Sequence, residues 1–346
     1  MRALQASSNG KPADVLEIVN VAKPVVGPGQ VLIRVSAASL NFNDIDRCYG
    51  RRLSVPTPPP FILGMDACGT VVQCGEGAEE WLHQRVVAVT NQAIGGLAEY
   101  AIASKNMVFP APDSLNDTEA AAFIIPFHTA YLGVVQRAKL QEHETLLVHA
   151  GASSVGSAAI QLGKAMGAKV IATVSSQAKK NYCLSLGADH VINHTTTDFT
   201  DDVLDLTNNI GSEVIFDLAG GQFVEPSWRC IAIEGRYLSA GFADDEENGF
   251  SGRPLRPTCF GNFSIMGFMM AYTETNSPDL RKFGVNLFSR KIGQSVHTEL
   301  LQLLNGGTIK PNIDCIVSLE EAAEALTQQE NRKTLGKSVV LIRASS

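Results

Sequence analysis

No two of the seven cysteines (Cys48, Cys68, Cys74, Cys183, Cys230, Cys259, Cys315) form a C-x-x-C pair, and their number is odd in a chain of 346 residues. Neither a disulfide framework nor a metal knuckle is signalled, so buried or idle thiols are the expectation. No uninterrupted apolar run has the length of a membrane span, and Met1 to Ser7 lacks the greasy segment of a secretory signal. A cytoplasmic protein with no membrane partner is expected. Clustered charge is missing too: the formal net charge is −7, with acids and bases interspersed. That excludes a sequence-independent grip on nucleic acid, which needs massed Lys and Arg, but not a local basic patch around one phosphate. There are no internal repeats. With 45% apolar and 18% charged residues, the chain can bury one large core or two ordinary ones, and two domains are expected.

What is present centres on Glu144 to Lys180. The apolar run Thr145-Leu146-Leu147-Val148 leads into Gly151-Ala152-Ser153-Ser154-Val155-Gly156, then into a stretch with Ala158, Ala159, Leu162, Ala165 and Met166 on one helical face. Gly167 supplies a left-handed stop, and Lys169 to Val174 reads as the next strand. Such a βαβ unit aims free N–H groups and the positive end of a helix dipole at one point, which fits a pyrophosphate. The fingerprint Gly-x-Gly-x-x-Gly is incomplete, because Ser153 stands at its middle glycine. An ordinary strand-turn-helix contact is therefore a fair competitor, and context has to decide.

The context is the end of the second strand. An NAD site carries an acid there to bind the ribose hydroxyls, whereas this chain reads Thr173-Val174-Ser175-Ser176-Gln177-Ala178-Lys179-Lys180. Hydroxyls and lysines without a carboxylate favour a 2′-phosphate, and hence NADP(H) over NAD(H). Ser175, Ser176 and Lys179 are the candidates, with Lys180 the weaker of the two lysines. Both lysines could also simply be solvated at the start of a helix.

Residues 1 to about 110 read as β-rich, with runs at Gln30 to Val35, Gly69 to Val72, Arg85 to Val89 and Ala98 to Ile102 that suit a small twisted barrel or sandwich. Pro56-Thr57-Pro58-Pro59-Pro60 is a stiff surface segment. Asn116-x-x-Glu119 opens a helix as a capping box, and that helix leads into the second domain. From Pro126 to Phe268 strand and helix alternate, with later parallel strands at His190 to Ile192, Val214 to Phe216 and Tyr237 to Ser239, and a helical stretch at Asp198 to Thr207. Beyond residue 270 come mixed helices, one capped at Ser318-x-x-Glu321, and a terminal strand Ser338 to Ile342.

This order of pieces resembles the medium-chain dehydrogenase/reductase superfamily, and within it the zinc-independent quinone oxidoreductases related to zeta-crystallin. The residues that carry the resemblance run nearly the whole length: Ala38-Ser39-Leu40-Asn41-Phe42-Asn43-Asp44, Gly64-Met65-Asp66-Ala67-Cys68-Gly69, Arg85 to Ala88, Glu99-Tyr100, Thr129-Ala130-Tyr131, His149 to Gly156, Leu186 to Asp189 and Gly336-Lys337. The family doublet at Ser153 and Ser154 is often Gly-Gly, and this chain departs from it. The resemblance implies an α/β protein with a GroES-like β-rich catalytic domain (1–125 and 270–346) and a Rossmann doubly wound parallel-sheet domain (126–269). It implies NADPH as cofactor and a homodimer paired through the last strand of the parallel sheet. It also implies no zinc, because Asn41 and Met65 occupy positions where zinc-dependent relatives need a thiolate and an imidazole.

By the same resemblance the reaction is hydride transfer to a quinone or to the activated C=C bond of an α,β-unsaturated carbonyl. The alternatives are an enoyl thioester reductase and, in another class, an NADPH-binding protein with incidental turnover. Asn41 is the candidate hydrogen-bond donor to the developing oxyanion, with a turn asparagine as the competing reading. Thr129 is expected beside the nicotinamide, unless it is an ordinary helix threonine. Asp44 holds the Asn41 loop in shape. His194 corresponds to a family position near the adenine ribose, although a lone loop histidine has the same look. Gly241 and Phe242, and Gly267 and Phe268 in the strand Ser264 to Phe268, flank the nicotinamide side, and Lys337 completes the cofactor set. Two aromatic lid positions of the family hold Asp46 and Arg52 here. Arg51 and Arg52 become candidates for attracting an anionic acceptor, or else solvated surface arginines, and Asp46 a candidate proton relay.

Overall fold

The computed structural model describes residues 1–51, 57–243, 255–282 and 284–342. The chain divides into two compact units, one of residues 1–125, 271–301 and 311–346, the other of residues 126–270 and 302–310. Residues 302–310 group with the second unit, whereas the sequence reading kept 270–346 together with the first. There the Gln161 side chain donates to Lys310 O (3.1 Å) and accepts from Lys310 N–H (2.9 Å), which fastens that segment to the helix Ser154–Ala165.

The first unit is built on a seven-stranded sheet. Gln30–Ser39 pairs antiparallel with Asp66–Cys74, with Tyr100–Ser104 and with the terminal strand Lys337–Leu341. A three-stranded antiparallel sheet carries Arg2–Ala6. Val31, Ile33, Val35, Leu40, Ile45, Leu63 and Val71 form its core. Each such side chain contributes about 2 kcal/mol on burial. The helix Phe42–Tyr49 ends at Gly50 in the left-handed region (φ 67). Asn116 and Glu119 make the expected reciprocal cap of Asp117–Ala121. The Ser318 cap begins differently: Glu321 takes the N–H and hydroxyl of Ser318, and the helix starts only at Ala322.

The second unit is a six-stranded, all-parallel sheet in the order His190–Asn193, Lys169–Val174, Thr145–Val148, Ser212–Asp217, Ile231–Ser239, Ser264–Gly267. That order reverses direction beside the first strand, at Thr145–Val148, as a doubly wound dinucleotide fold requires. Thr145–Val148 is wholly buried, which explains its unbroken apolar sequence. A helical run from Asp117 to Arg137 has the length and composition to cross a membrane, although polar residues interrupt its apolar sequence. It is 72% buried inside the protein, as a core helix is.

Backbone clearance decides where side chains are forbidden in the first turn. A Cβ on Gly156 would stand 2.4 Å from the Ala150 carbonyl oxygen, and one on Gly151 would stand 2.8 Å from the Ala172 Cβ. Gly156→Ala is expected to destabilise the protein by about 1–3 kcal/mol, because the obstacle is backbone and cannot swing aside. Urea unfolding checks this, and an unchanged midpoint would show that the turn relaxes freely.

Candidate active site

In the second unit the nucleotide candidates stand along the carboxyl edge of one sheet. Gly151 N–H donates to Thr173 O (3.1 Å), tying the first turn to the end of the second strand. Ser153 caps the helix Ser154–Ala165, its hydroxyl accepting from Gly156 N–H (3.1 Å). The serine at the middle glycine position is thereby explained: it satisfies one N–H of the first helical turn and leaves those of Ser154 and Val155 for an outside acceptor. Ala152 is buried within the same turn.

At the end of the second strand, Ser176 caps the helix Gln177–Ser185 by accepting from Lys179 N–H, and Lys179 Nζ donates to Ser175 Oγ, both at 3.3 Å. The Lys179 ammonium thus stands on the Ser175 hydroxyl, while the Ser176 hydroxyl serves the helix cap. Lys180 lines a groove with Gln177, His190 and Thr196. His194 N–H donates to Val174 O (3.0 Å), and its ring meets Phe223 edge-on at 4.9 Å. Gly241 N–H donates to Asp217 O (3.0 Å), and Phe242 beside it is exposed. Gly267 pairs with Ser239 at the end of the last strand. Phe268 stacks on Phe216 at 6.1 Å. Thr129 is half-buried on the helix Ile124–Ala130.

Sequence reading missed the polar pins beneath this edge. The His149 ring lies between Thr173 Oγ1 and Ser227 Oγ, both at 2.8 Å. Ser227 donates to Phe223 O (2.6 Å), so it accepts from Nε2–H of the imidazole. Burial lowers the pKa of His149 to about 4, with His194 adding to the effect and Asp217 opposing it. The Asp217 carboxylate accepts from the Tyr237 hydroxyl and from the N–H groups of Ala219 (2.8 Å) and Gly220 (2.9 Å). The available signal was a polar residue closing each apolar strand, at His149 and Asp217.

In the first unit the Asn41 loop encloses a buried charge cluster. The Asn41 side chain donates to Ser39 O (3.1 Å) and Asp66 Oδ2 (3.0 Å), and accepts from Lys337 Nζ (2.5 Å). Asn41 was expected to be a donor to substrate, yet both of its N–H groups are engaged inside the protein. Lys337 was expected on the cofactor; instead it is buried, with its ammonium on Asn41 Oδ1. No local pattern announces this, because a lysine opening a strand ordinarily reaches solvent. Asp44 holds the loop, accepting from Asn41 N–H (2.8 Å) and Gly64 N–H (3.2 Å). Asp66, missed by sequence reading, also accepts from Ser39 N–H (2.6 Å) and from the Ser39 hydroxyl.

Two acids thus share one ammonium away from water. Burial raises the pKa of Asp44 to about 6, raises that of Asp66 and lowers that of Lys337, because it disfavours the charged form of each group. Arg51 pairs with Asp46 (3.2 Å) and lies over the Tyr49 ring (4.4 Å), so the anion-attracting candidate and the proton-relay candidate are bonded to each other. Arg52 lies outside the described residues.

The alcohol dehydrogenase GroES-like domain family matches residues 27–113, and the zinc-binding dehydrogenase family matches residues 154–290. A quinone oxidoreductase-like protein 2 homolog of Nematostella vectensis is 30% identical over 98% of this chain and 88% of its own length. The chain is a medium-chain dehydrogenase/reductase of the quinone oxidoreductase branch. It is an oxidoreductase of that superfamily. A quinone oxidoreductase of Pseudomonas syringae superposes with a TM-score of 0.85 at 27% identity, covering 99% of both chains. A mycobacterial protein solved with NADPH superposes with a TM-score of 0.83 at 26% identity, covering 99% of this chain and 100% of that one.

A titration follows from the first-unit cluster. Asp44 titrates near 6 when folded against 3.8 when free, so the native state binds its proton more tightly. Its contribution favours folding at low pH and is lost as pH rises from about 4 to about 6, by roughly 3 kcal/mol. Buried His149 acts in nearly the same window with the opposite sign, so only a difference between variants isolates either group. The stability of the wild type relative to Asp44→Asn should grow as pH falls from 7 to 4 in urea titrations, and a constant difference would remove Asp44 as the source.

Proposed function

We propose that the protein transfers a hydride from NADPH to a quinone or to the activated C=C bond of an α,β-unsaturated carbonyl, without zinc. The observation that carries the reading is the Lys179 ammonium beside Ser175, with the Ser176 hydroxyl next to it, at the end of a second strand that bears no carboxylate. A 2′-phosphate gains charge-assisted hydrogen bonds there, whereas a bare ribose lacks the acid it needs. The first turn fits the pyrophosphate: Gly151 and Gly156 have no room for side chains, and the helix presents free N–H groups. The mycobacterial relative bound to NADPH supports the same reading.

Zinc does not fit the donor set at Asn41. The amide oxygen already holds an ammonium and Met65 offers only a thioether, so a dication would meet a resident cation and no thiolate or imidazole. Among the described residues no group of three or more His, Cys, Asp or Glu is gathered for a metal. When bound, the nicotinamide supplies the hydride. This chain's residues would hold the phosphates at Ser154, Val155 and Lys179, with the Asn41 loop kept rigid through Asp44, Asp66 and Lys337 and Thr129 the candidate for the nicotinamide side. Without a Lewis acid to polarise an alcohol, an electron-poor acceptor is the natural substrate. The strand Ser264–Gly267 at the edge of the parallel sheet supports pairing of two copies in a homodimer.

Lys179→Ala is expected to raise the KM for NADPH about tenfold or more and to leave that for NADH unchanged. A wild-type preference for NADH in the same assay would overturn the cofactor reading. Stopped-flow oxidation of NADPH across quinones, enones and enoyl-CoAs then assigns the acceptor. Fast turnover confined to enoyl-CoAs makes the protein an enoyl thioester reductase, and binding with no oxidation by any acceptor makes it a nucleotide-binding protein. Light scattering should give twice the chain mass, and a monomer would refute the paired edge.

A further inference from the structure

The helix Ile124–Ala130 continues as a π-helix over Tyr131–Arg137, where Ala138 N–H donates to Gly133 O (2.9 Å) five residues back. A seven-residue π segment is rare, and such segments mark places where a helix has been reshaped by what it must accommodate. Here the reshaping surrounds Gly133. A Cβ at this position would stand 2.5 Å from Phe216 Cε2 and 2.8 Å from Phe268 Cζ. The two rings are stacked at an interplanar angle of 24°, so both lie against a glycine that leaves them just enough space. Four residues later, Arg137 Nε donates to Gly267 O (3.3 Å), pinning the residue before Phe268 from the same π turn. Thr129 lies four residues before Gly133 and hence on the same face of the helix.

We propose that the π turn at Gly133 and Arg137 positions the nicotinamide half of the cofactor, by seating Phe268 on the helix face that carries Thr129. This rests on the NADPH reading above and deepens it. Which ring yields to an added methyl follows from burial. Phe216 is fully buried in the centre of the sheet, whereas Phe268 is only half-buried past the end of the edge strand. Phe268 is therefore displaced, and with it the wall at Gly267 and Phe268. Gly133 and Arg137 act through Phe268 and Gly267, so they are positioning residues.

The test separates the two halves of the cofactor. The fragment 2′,5′-ADP carries the adenosine and its phosphates without the nicotinamide, and the emission of bound NADPH reports the surroundings of the dihydronicotinamide. Gly133→Ala should weaken NADPH about tenfold or more and shift its bound emission, while 2′,5′-ADP affinity stays within about twofold, because displacement of roughly an ångström at one end leaves the other end untouched. Phe268→Leu, which introduces no clash, should show the same selective loss, and it decides the matter if Gly133→Ala loses both ligands through misfolding. Equal affinities of wild type and both variants for NADPH, or losses that are equal for the two ligands in Phe268→Leu, overturn the proposal. Wild type that binds neither ligand refutes the NADPH reading itself.

Discussion

The second unit depends on one close approach, the backbone contact of Gly156 with the Ala150 carbonyl. Helix Ser154–Ala165 can bring its N-terminus onto the carboxyl edge of the sheet only because no side chain intervenes there. Everything that a phosphate can use at this turn follows: the direction of the helix dipole, the free N–H groups, and the bond from Gly151 to Thr173 that fixes the second strand end relative to the first. Once two strand ends are locked together, Lys179 and Ser175 have a defined distance from the turn. A flexible lysine on an unanchored loop would offer charge without geometry.

The first unit solves a different problem with charge. The Asn41 loop is held in shape by ionisable groups taken out of water. Removing one partner from such a set is costly, because the others stay buried without compensation. Asp44 alone accepts two backbone N–H groups from separate segments, and Lys337 reaches Asn41 from a strand nearly three hundred residues away in sequence. The cluster is therefore a knot between distant parts of the chain.

Elements buried on both faces or closed by a cap were legible in the sequence. Lys169–Val174 and Arg85–Val89 have the bounds their apolar runs announce, and the Asn116 cap does what its spacing says. Legibility failed where a long-range partner sets the outcome. Ile231–Ser239 begins six residues before Tyr237, through a register shift opposite Ser212–Val214 and a left-handed Glu234 (φ 60). The π segment has no local signature, since what shapes it at Gly133 is a pair of rings from residues 216 and 268. Lys337 stood with the cofactor by the resemblance alone, and only the fold shows two acids and an amide awaiting it.

The same distinction explains why candidate phosphate-binding residues are easier to read from a sequence than candidate catalytic ones. A phosphate is recognised by backbone and by small or charged residues at the ends of consecutive strands, so its binding set lies in order along the chain and is constrained by local turns. A hydride acceptor is recognised by side chains whose donors are free, and freedom is a property of the whole neighbourhood. Asn41 has the right chemistry for an oxyanion donor, but its two N–H groups are held by Ser39 and Asp66. Donation to a substrate would therefore require breaking one of these bonds, and breaking the bond to a buried carboxylate is the more expensive. The Ser39 carbonyl, a neutral acceptor, is the weaker partner. If Asn41 ever turns toward a substrate oxygen, that is the bond it exchanges, while its links to Asp66 and Lys337 keep the amide in place.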